Sequence, residues 1–182
     1  MILISFQLMQ QNSTRGLLRM ANKKIILTLD TETADLSGNI YDVGYIIHDK
    51  DGNIFATYNA LVEEIFTDAK KMMGSFFAKK LFTHYAPMLD RSEVSIVAWS
   101  DIVDQLRSDI DEFGVNVISA YNIGFDMRAM SNTHKALTGE NKVLQSPCKI
   151  IDIWQFACEV KMSNRNYKKI AKSFGWVSPK GN

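Results

Sequence analysis

A nearly unbroken apolar run, Ile25-Ile26-Leu27-Thr28-Leu29, leads directly into Asp30-Thr31-Glu32-Thr33. A run without polar alternation reads as a strand buried on both faces, the kind found inside an α/β sheet. Two carboxylates spaced by one residue follow at once. On an extended backbone, residues i and i+2 point to the same side. Asp30 and Glu32 are therefore expected to converge at the sheet's end on one divalent cation, since hard cations such as Mg²⁺ take oxygen ligands of this kind. The plainer alternative is a polar turn that closes a strand.

The chain has 182 residues, 46% of them hydrophobic, which suits one domain with a sizeable core. Net charge is +1, so bulk charge neither demands nor excludes a polyanionic partner. Cys148 and Cys158 form no C-x-x-C, and His48, His84 and His134 are scattered. Neither a disulfide framework nor a zinc site is expected. Residues 1–9 are apolar but short, with no basic leader or cleavage site, and no stretch is long enough to span a bilayer. A soluble, cytoplasmic protein without membrane association is the expectation. Residues 1–21 read as an N-terminal extension, non-native or disordered, with Met20 as the expected natural start and residues 22–182 as the domain.

Strands are expected over Lys23–Leu29, Ile40–His48 and Ile54–Val62, the last two joined by a turn at Asp51-Gly52. Together they form an antiparallel meander. Met73, Phe77, Leu81 and Tyr85 recur every four residues, predicting one helix over Phe66–Leu89 that Pro87 ends or breaks. Spacings of three and four predict a second helix over Ser95–Phe113, stopped by Gly114. A fourth strand over Val115–Ala120, a helix over Phe125–Leu137, a fifth strand over Lys149–Ile153 and helices over Trp154–Val160 and Arg165–Phe174 follow. The expected class is α/β, with a mixed five-stranded sheet flanked by helices.

A second motif, Tyr121-Asn122-Ile123-Gly124-Phe125-Asp126, lies where the fourth strand passes into a helix. Asp126 falls in the first helical turns, where free N–H groups and the helix dipole favour an anion. If strands one and four are neighbours, that carboxylate faces the end of strand one. The alternative is local: Asp126 caps its helix and Asn122 turns the chain.

The two motifs in this order resemble the DEDD superfamily of 3′→5′ exonucleases, the DnaQ-like branch of the ribonuclease-H-like fold. Asp30-Thr31-Glu32-Thr33 matches its D-x-E motif, and Asn122-Ile123-Gly124-Phe125-Asp126 its N-x-x-F-D motif. Val43-Gly44 is similar to the family's second-strand pattern, and the resemblance spans residues 23–182. It implies a ribonuclease-H-like fold and hydrolysis of phosphodiester bonds from the 3′ end of single-stranded DNA or RNA. It implies a cofactor of two Mg²⁺ or Mn²⁺ ions, about 4 Å apart, that activate water and stabilise the leaving oxygen. Asp30, Glu32 and Asp126 would hold the metal, and Thr31, Leu36 and Asn122 would contact the terminal nucleotide.

The family's third motif, a histidine or tyrosine four residues before an aspartate, has no match. His134 is followed by Thr138, and Tyr167 by Ala171. The expectation is a chain cut short before that motif, missing the fourth carboxylate and the general base. Asp152 is the remaining candidate carboxylate, although a strand-to-helix cap accounts for it more simply. Arg165, Lys168, Lys169, Lys172 and Lys180 lie in a segment with no acidic residue. That segment suits either a nucleic-acid backbone or a solvated helix face. The alternative to an enzyme is a catalytically incomplete relative that binds nucleic-acid ends or a protein partner, and a third option is a domain whose acidic turns are only structural. Oligomeric state is left open.

Overall fold

The computed structural model describes residues 24–75, 78–144, 148–155 and 157. The extension over 1–21, the helix expected over 165–174, and Phe77, Cys158, Tyr167 and the basic segment from Arg165 to Lys180 lie outside them. Of the helix expected over 154–160, helical backbone is described at 153–155 and 157.

The described residues build a mixed α/β structure around one six-stranded sheet. Its strands are β1 (Ile25–Thr33), β2 (Ile40–Asp49), β3 (Ile54–Val62), β4 (Ser95–Val97), β5 (Val117–Ala120) and β6 (Lys149–Asp152). They lie in the order β4-β3-β2-β1-β5-β6. The first three form the expected antiparallel meander, while β5 runs parallel to β1, and β6 parallel to β5. The helices are α1 (Glu63–Phe66), α2 (Ala69–Gly74), α3 (Ala78–Lys80), α4 (Ala86–Asp90), α5 (Trp99–Phe113) and α6 (Ile123–Thr138), with a π-helical turn over Leu81–Tyr85 between α3 and α4. Among the described residues no helix is long and apolar enough to cross a membrane.

Three expectations are corrected. The sheet has six strands rather than five, because Ser95-Ile96-Val97 pairs in parallel with Ala60–Val62 before α5 begins at Trp99. Its helical spacing belongs to a segment whose first three residues sit at a sheet edge, where β-branched Ile and Val fit well. The single helix expected over Phe66–Leu89 is instead a series of short pieces. Asp68 starts α2 afresh by accepting from the Lys71 N–H at 3.1 Å, and Ser75 leaves that helix with extended backbone. Pro87 lies in the first turn of α4, where its missing N–H costs nothing. Finally, β1 does not stop at Leu29 but runs to Thr33, so Asp30 and Glu32 are strand residues.

Burial along β1 alternates: Ile25, Leu27, Leu29, Thr31 and Thr33 are buried, and the residues between them are more open. Ile25, Leu27 and Leu29 share one core cluster with Val43, Tyr45 and Ile47 of β2, with Trp99, Ile102, Val103 and Leu106 of α5, and with Ala129 and Met130 of α6. The helices therefore cover one sheet face. Gly114 ends α5 in left-handed backbone, φ 64°, as its position predicted.

The loop between β1 and β2 is tied to α6. Asn132 Nδ2 donates to Ser37 O at 2.6 Å, and the Ile40 N–H donates to Thr133 Oγ1 at 3.1 Å. Thr133 Oγ1 itself donates to Gly38 O. Gly38 has φ +110°, and a Cβ there would stand 2.9 Å from Ala129 Cα. Gly52, at the β2–β3 turn, also has positive φ (+86°) but open space around it. Both glycine-to-alanine changes strain the backbone, at a cost of about 1 kcal/mol or more. Only the one at Gly38 also forces the loop off α6. Gly38→Ala is expected to lower unfolding free energy in urea by at least about 1 kcal/mol more than Gly52→Ala; equal losses would mean the loop yields without resistance.

Candidate active site

The candidate site forms where β1 outruns its parallel neighbour. The β1–β5 pairing ends at Thr28–Ser119, while β1 continues to Thr33. At Asn122 the chain takes left-handed backbone (φ 61°, ψ 49°) and turns directly into α6. That reversal brings Asp126 back to β1. The Thr31 N–H donates to Asp126 Oδ1 at 3.1 Å, and the Thr31 hydroxyl donates to the same oxygen at 2.7 Å. The carboxylate thus takes the backbone donor that a longer β5 would have paired.

Asp126 is 4% exposed. Burial pushes its carboxyl up, the Thr31 hydroxyl pulls it back, and the charge of Asp30 raises it further. Asp30 and Glu32 lie on the opposite, more open face of β1. Partial burial, then the charge of Glu32, push the Asp30 carboxyl up, and Lys80 opposes them. The three carboxylates expected from the sequence thus meet at one strand end, but through different faces.

A fourth carboxylate joins them. Asp42 of β2 is the cross-strand partner of Glu32, and the Tyr85 hydroxyl donates to its Oδ2 at 2.7 Å. Burial raises the Asp42 carboxyl, Tyr85 lowers it, and Glu32 and Asp30 raise it further. Sequence reasoning missed Asp42, because only the β1–β2 register sets it opposite Glu32. Lys80 Nζ lies 2.7 Å from Glu32 Oε1.

Gly44 stands opposite Asp30 and leaves that side of the sheet open. A groove of about 490 Å³ runs past Asp30 there, lined by Thr28, Gly44, Ile46, Tyr58 and Asn59 among others. Next to Thr28, His48 Nδ1 meets the Asp49 carbonyl at 2.8 Å and must carry the proton, since a carbonyl only accepts. His48 Nε2 then accepts from the Thr28 hydroxyl at 2.9 Å, and Ser119 Oγ donates to Thr28 Oγ1 at 2.9 Å.

The remaining sequence candidates divide. Leu36 is 76% exposed, on the β1–β2 loop. Asp35 shapes that loop by accepting from the Ser37 N–H at 2.8 Å, the Gly38 N–H at 3.1 Å and Asn39 Nδ2 at 2.6 Å, and from the Ser37 hydroxyl. Asn122 is exposed, and its N–H donates to Asp152 Oδ1 at 3.2 Å. The same oxygen accepts from the Trp154 and Gln155 N–H groups at 2.9 and 3.3 Å, so Asp152 caps the helical turn after β6. His134 is buried, with Nδ1 accepting from Trp99 Nε1 at 3.0 Å.

The donor set suits a hard cation in kind: carboxylate oxygens crowded at a strand end with few positive charges nearby. In their present positions, among the described residues, no three His, Cys, Asp or Glu side chains form a metal-binding group. Two of these carboxylates already have partners. Thr31 holds one oxygen of Asp126, and Lys80 holds one of Glu32.

Among solved structures, one described as "Exonuclease X in complex with 5′ overhanging duplex DNA" is similar at 16% identity and a TM-score of 0.48, over 86% of this chain and 76% of that one. No family model matches the chain, and no curated protein matches it.

Thr31→Val keeps the shape but removes the hydroxyl that donates to a buried carboxylate, and is expected to cost about 1–3 kcal/mol in a urea titration. Asp35 gives a pH signature. The Ser37 hydroxyl most of all, helped by Asn39 and the Ser37 and Gly38 amides, brings its carboxyl down from 3.8 to about 2 against the opposing pull of burial. Its ionised form therefore stabilises the fold fully above pH 3.8, and that contribution is lost as pH falls through about 2. The stability difference between wild type and Asp35→Asn should be flat from pH 7 to 4 and shrink below it; a difference independent of pH down to 2 would contradict the assignment.

Proposed function

We propose that this chain is a divalent-cation-dependent nuclease that hydrolyses phosphodiester bonds from the 3′ end of single-stranded DNA or RNA. The observation that carries this reading is the bonding of Asp126 to Thr31, the residue between Asp30 and Glu32, which links two distant motifs at the free end of the central strand. The order and content of those motifs, which resemble the DEDD exonucleases, supply the reaction class.

Asp30 and Glu32 would hold Mg²⁺ or Mn²⁺ from the open face of β1, and Asp126 through the oxygen that Thr31 leaves free. Two such cations, when bound, supply a hydroxide nucleophile and charge stabilisation for the leaving 3′ oxygen. Thr31 is a positioning residue in this scheme: both of its donors fix Asp126. Leu36 offers an exposed apolar side chain for a terminal base, and Asn122 an amide at the mouth of the β5–α6 turn. Gly44 keeps the space beside Asp30 clear for the strand to enter.

A second reading, a module that holds a nucleic-acid end without cutting it, is favoured by the lack of a ready-made three-ligand group among the described residues. A 5′-labelled single-stranded oligonucleotide with Mg²⁺ or Mn²⁺ separates the two. The expected outcome is a ladder shortening from the 3′ end, abolished by EDTA and slowed at least about a hundredfold in Asp30→Asn. Binding without cleavage would overturn the nuclease reading in favour of the module.

A further inference from the structure

The helical arm over residues 78–90 reaches the acidic site at two points. Lys80 Nζ meets Glu32 Oε1 at 2.7 Å, and the Tyr85 hydroxyl meets Asp42 Oδ2 at 2.7 Å. Both acceptors belong to one cross-strand pair, Glu32–Asp42. The arm's backbone is built for this double contact. In an α-helix of 3.6 residues per turn, residues five apart stand about 140° apart around the axis. Here Leu81–Tyr85 is π-helical, and the Ala86 N–H donates to Leu81 O, five residues back. A turn closed over five residues brings Lys80 and Tyr85 towards one face.

The two contacts are unlike in one respect. Tyr85 is 2% exposed and packed edge-on against Tyr41 and Phe66, so it anchors the arm. Lys80 has a flexible stem, and its side chain is 38% exposed. It can leave Glu32 without moving the arm. The charge of Lys80 also acts on Asp30, so it sits where a cation shared by Asp30 and Glu32 would be drawn. An ammonium and a divalent ion are both drawn to the one Glu32 carboxylate and repel each other, so each weakens the other's hold on it.

We propose that Lys80 is an internal counter-ion that occupies Glu32 in the metal-free protein and is displaced when a divalent cation binds, so that this lysine sets how tightly the site takes its metal. The inference rests on the reading of Asp30 and Glu32 as metal ligands. It accounts for an ammonium held 2.7 Å from Glu32 and close enough to act on Asp30. It also gives the π turn a purpose, since an α-helical turn would aim Lys80 away from the face that Tyr85 anchors.

The test uses the full chain and Mn²⁺ titrated by calorimetry against wild type and Lys80→Met, which keeps the stem and removes the charge. Lys80→Met is expected to bind Mn²⁺ roughly fivefold more tightly, the scale of a lost competing ion pair at a half-exposed position. Equal or weaker binding by Lys80→Met, with wild type binding normally, would overturn the counter-ion role and leave the metal site standing. No Mn²⁺ binding by either protein would overturn both. Wild type alone provides a second readout that does not depend on a variant folding. Acetylation of Lys80 by an amine-reactive ester, followed by mass spectrometry, should rise when Mg²⁺ is added, while Lys79 next to it stays constant. Unchanged Lys80 labelling across that addition would also overturn the proposal.

Discussion

The Asp126 carboxylate, closed on the amide and hydroxyl of Thr31, is the contact on which the rest of the site depends. β5 stops at Ala120 while its partner β1 goes on, which would leave a backbone donor of β1 without a strand beside it. A buried, unpaired N–H costs about as much as a lost hydrogen bond. The left-handed turn at Asn122 resolves this by sending α6 back across the gap with a carboxylate in its first turn. The same return lays Asn132 and Thr133 of α6 along the β1–β2 loop. One buried contact thus sets the pitch of α6, the path of the loop that carries Leu36, and the place of a third carboxylate beside Asp30.

The electrostatic consequence is an acidic end to the sheet that is costly to build. Asp30, Asp42 and Asp126 all have carboxyls pushed up, each first by burial and then in part by a neighbouring carboxylate. A fold under selection for stability alone would spread these charges or replace them. Clustered groups with perturbed protonation at a cleft are a mark of chemistry, and here they adjoin an open groove beside Asp30. The protein offsets the crowding locally with a tyrosine hydroxyl on Asp42, an ammonium on Glu32 and a threonine on Asp126. Two of these partners come from one short, irregular helical arm, which makes its π turn part of the site's electrostatics.

Much of this was legible in the sequence, and the failures have physical reasons. The buried central strand, the meander and the left-handed stop at Gly114 follow from local patterns, as does the joining of the two acidic motifs once β1 and β5 are neighbours. β4 was hidden because Ile96 and Trp99 keep a helical spacing across a strand-to-helix junction. The arm over 78–90 was hidden because four-residue periodicity survives breaks at Asp68 and Ser75 that depend on capping. Asp42 and Lys80 could not be found at all from spacing. The first needs the β1–β2 register, and the second needs a widened turn that no residue type announces.

The most direct test of the central claim is anomalous diffraction from crystals of the full chain soaked in Mn²⁺. The expected result is a manganese peak bound by the carboxylates of Asp30 and Glu32, with Lys80 moved off Glu32. Manganese bound elsewhere, with the Lys80–Glu32 pair intact and no peak at Asp30, would contradict the account.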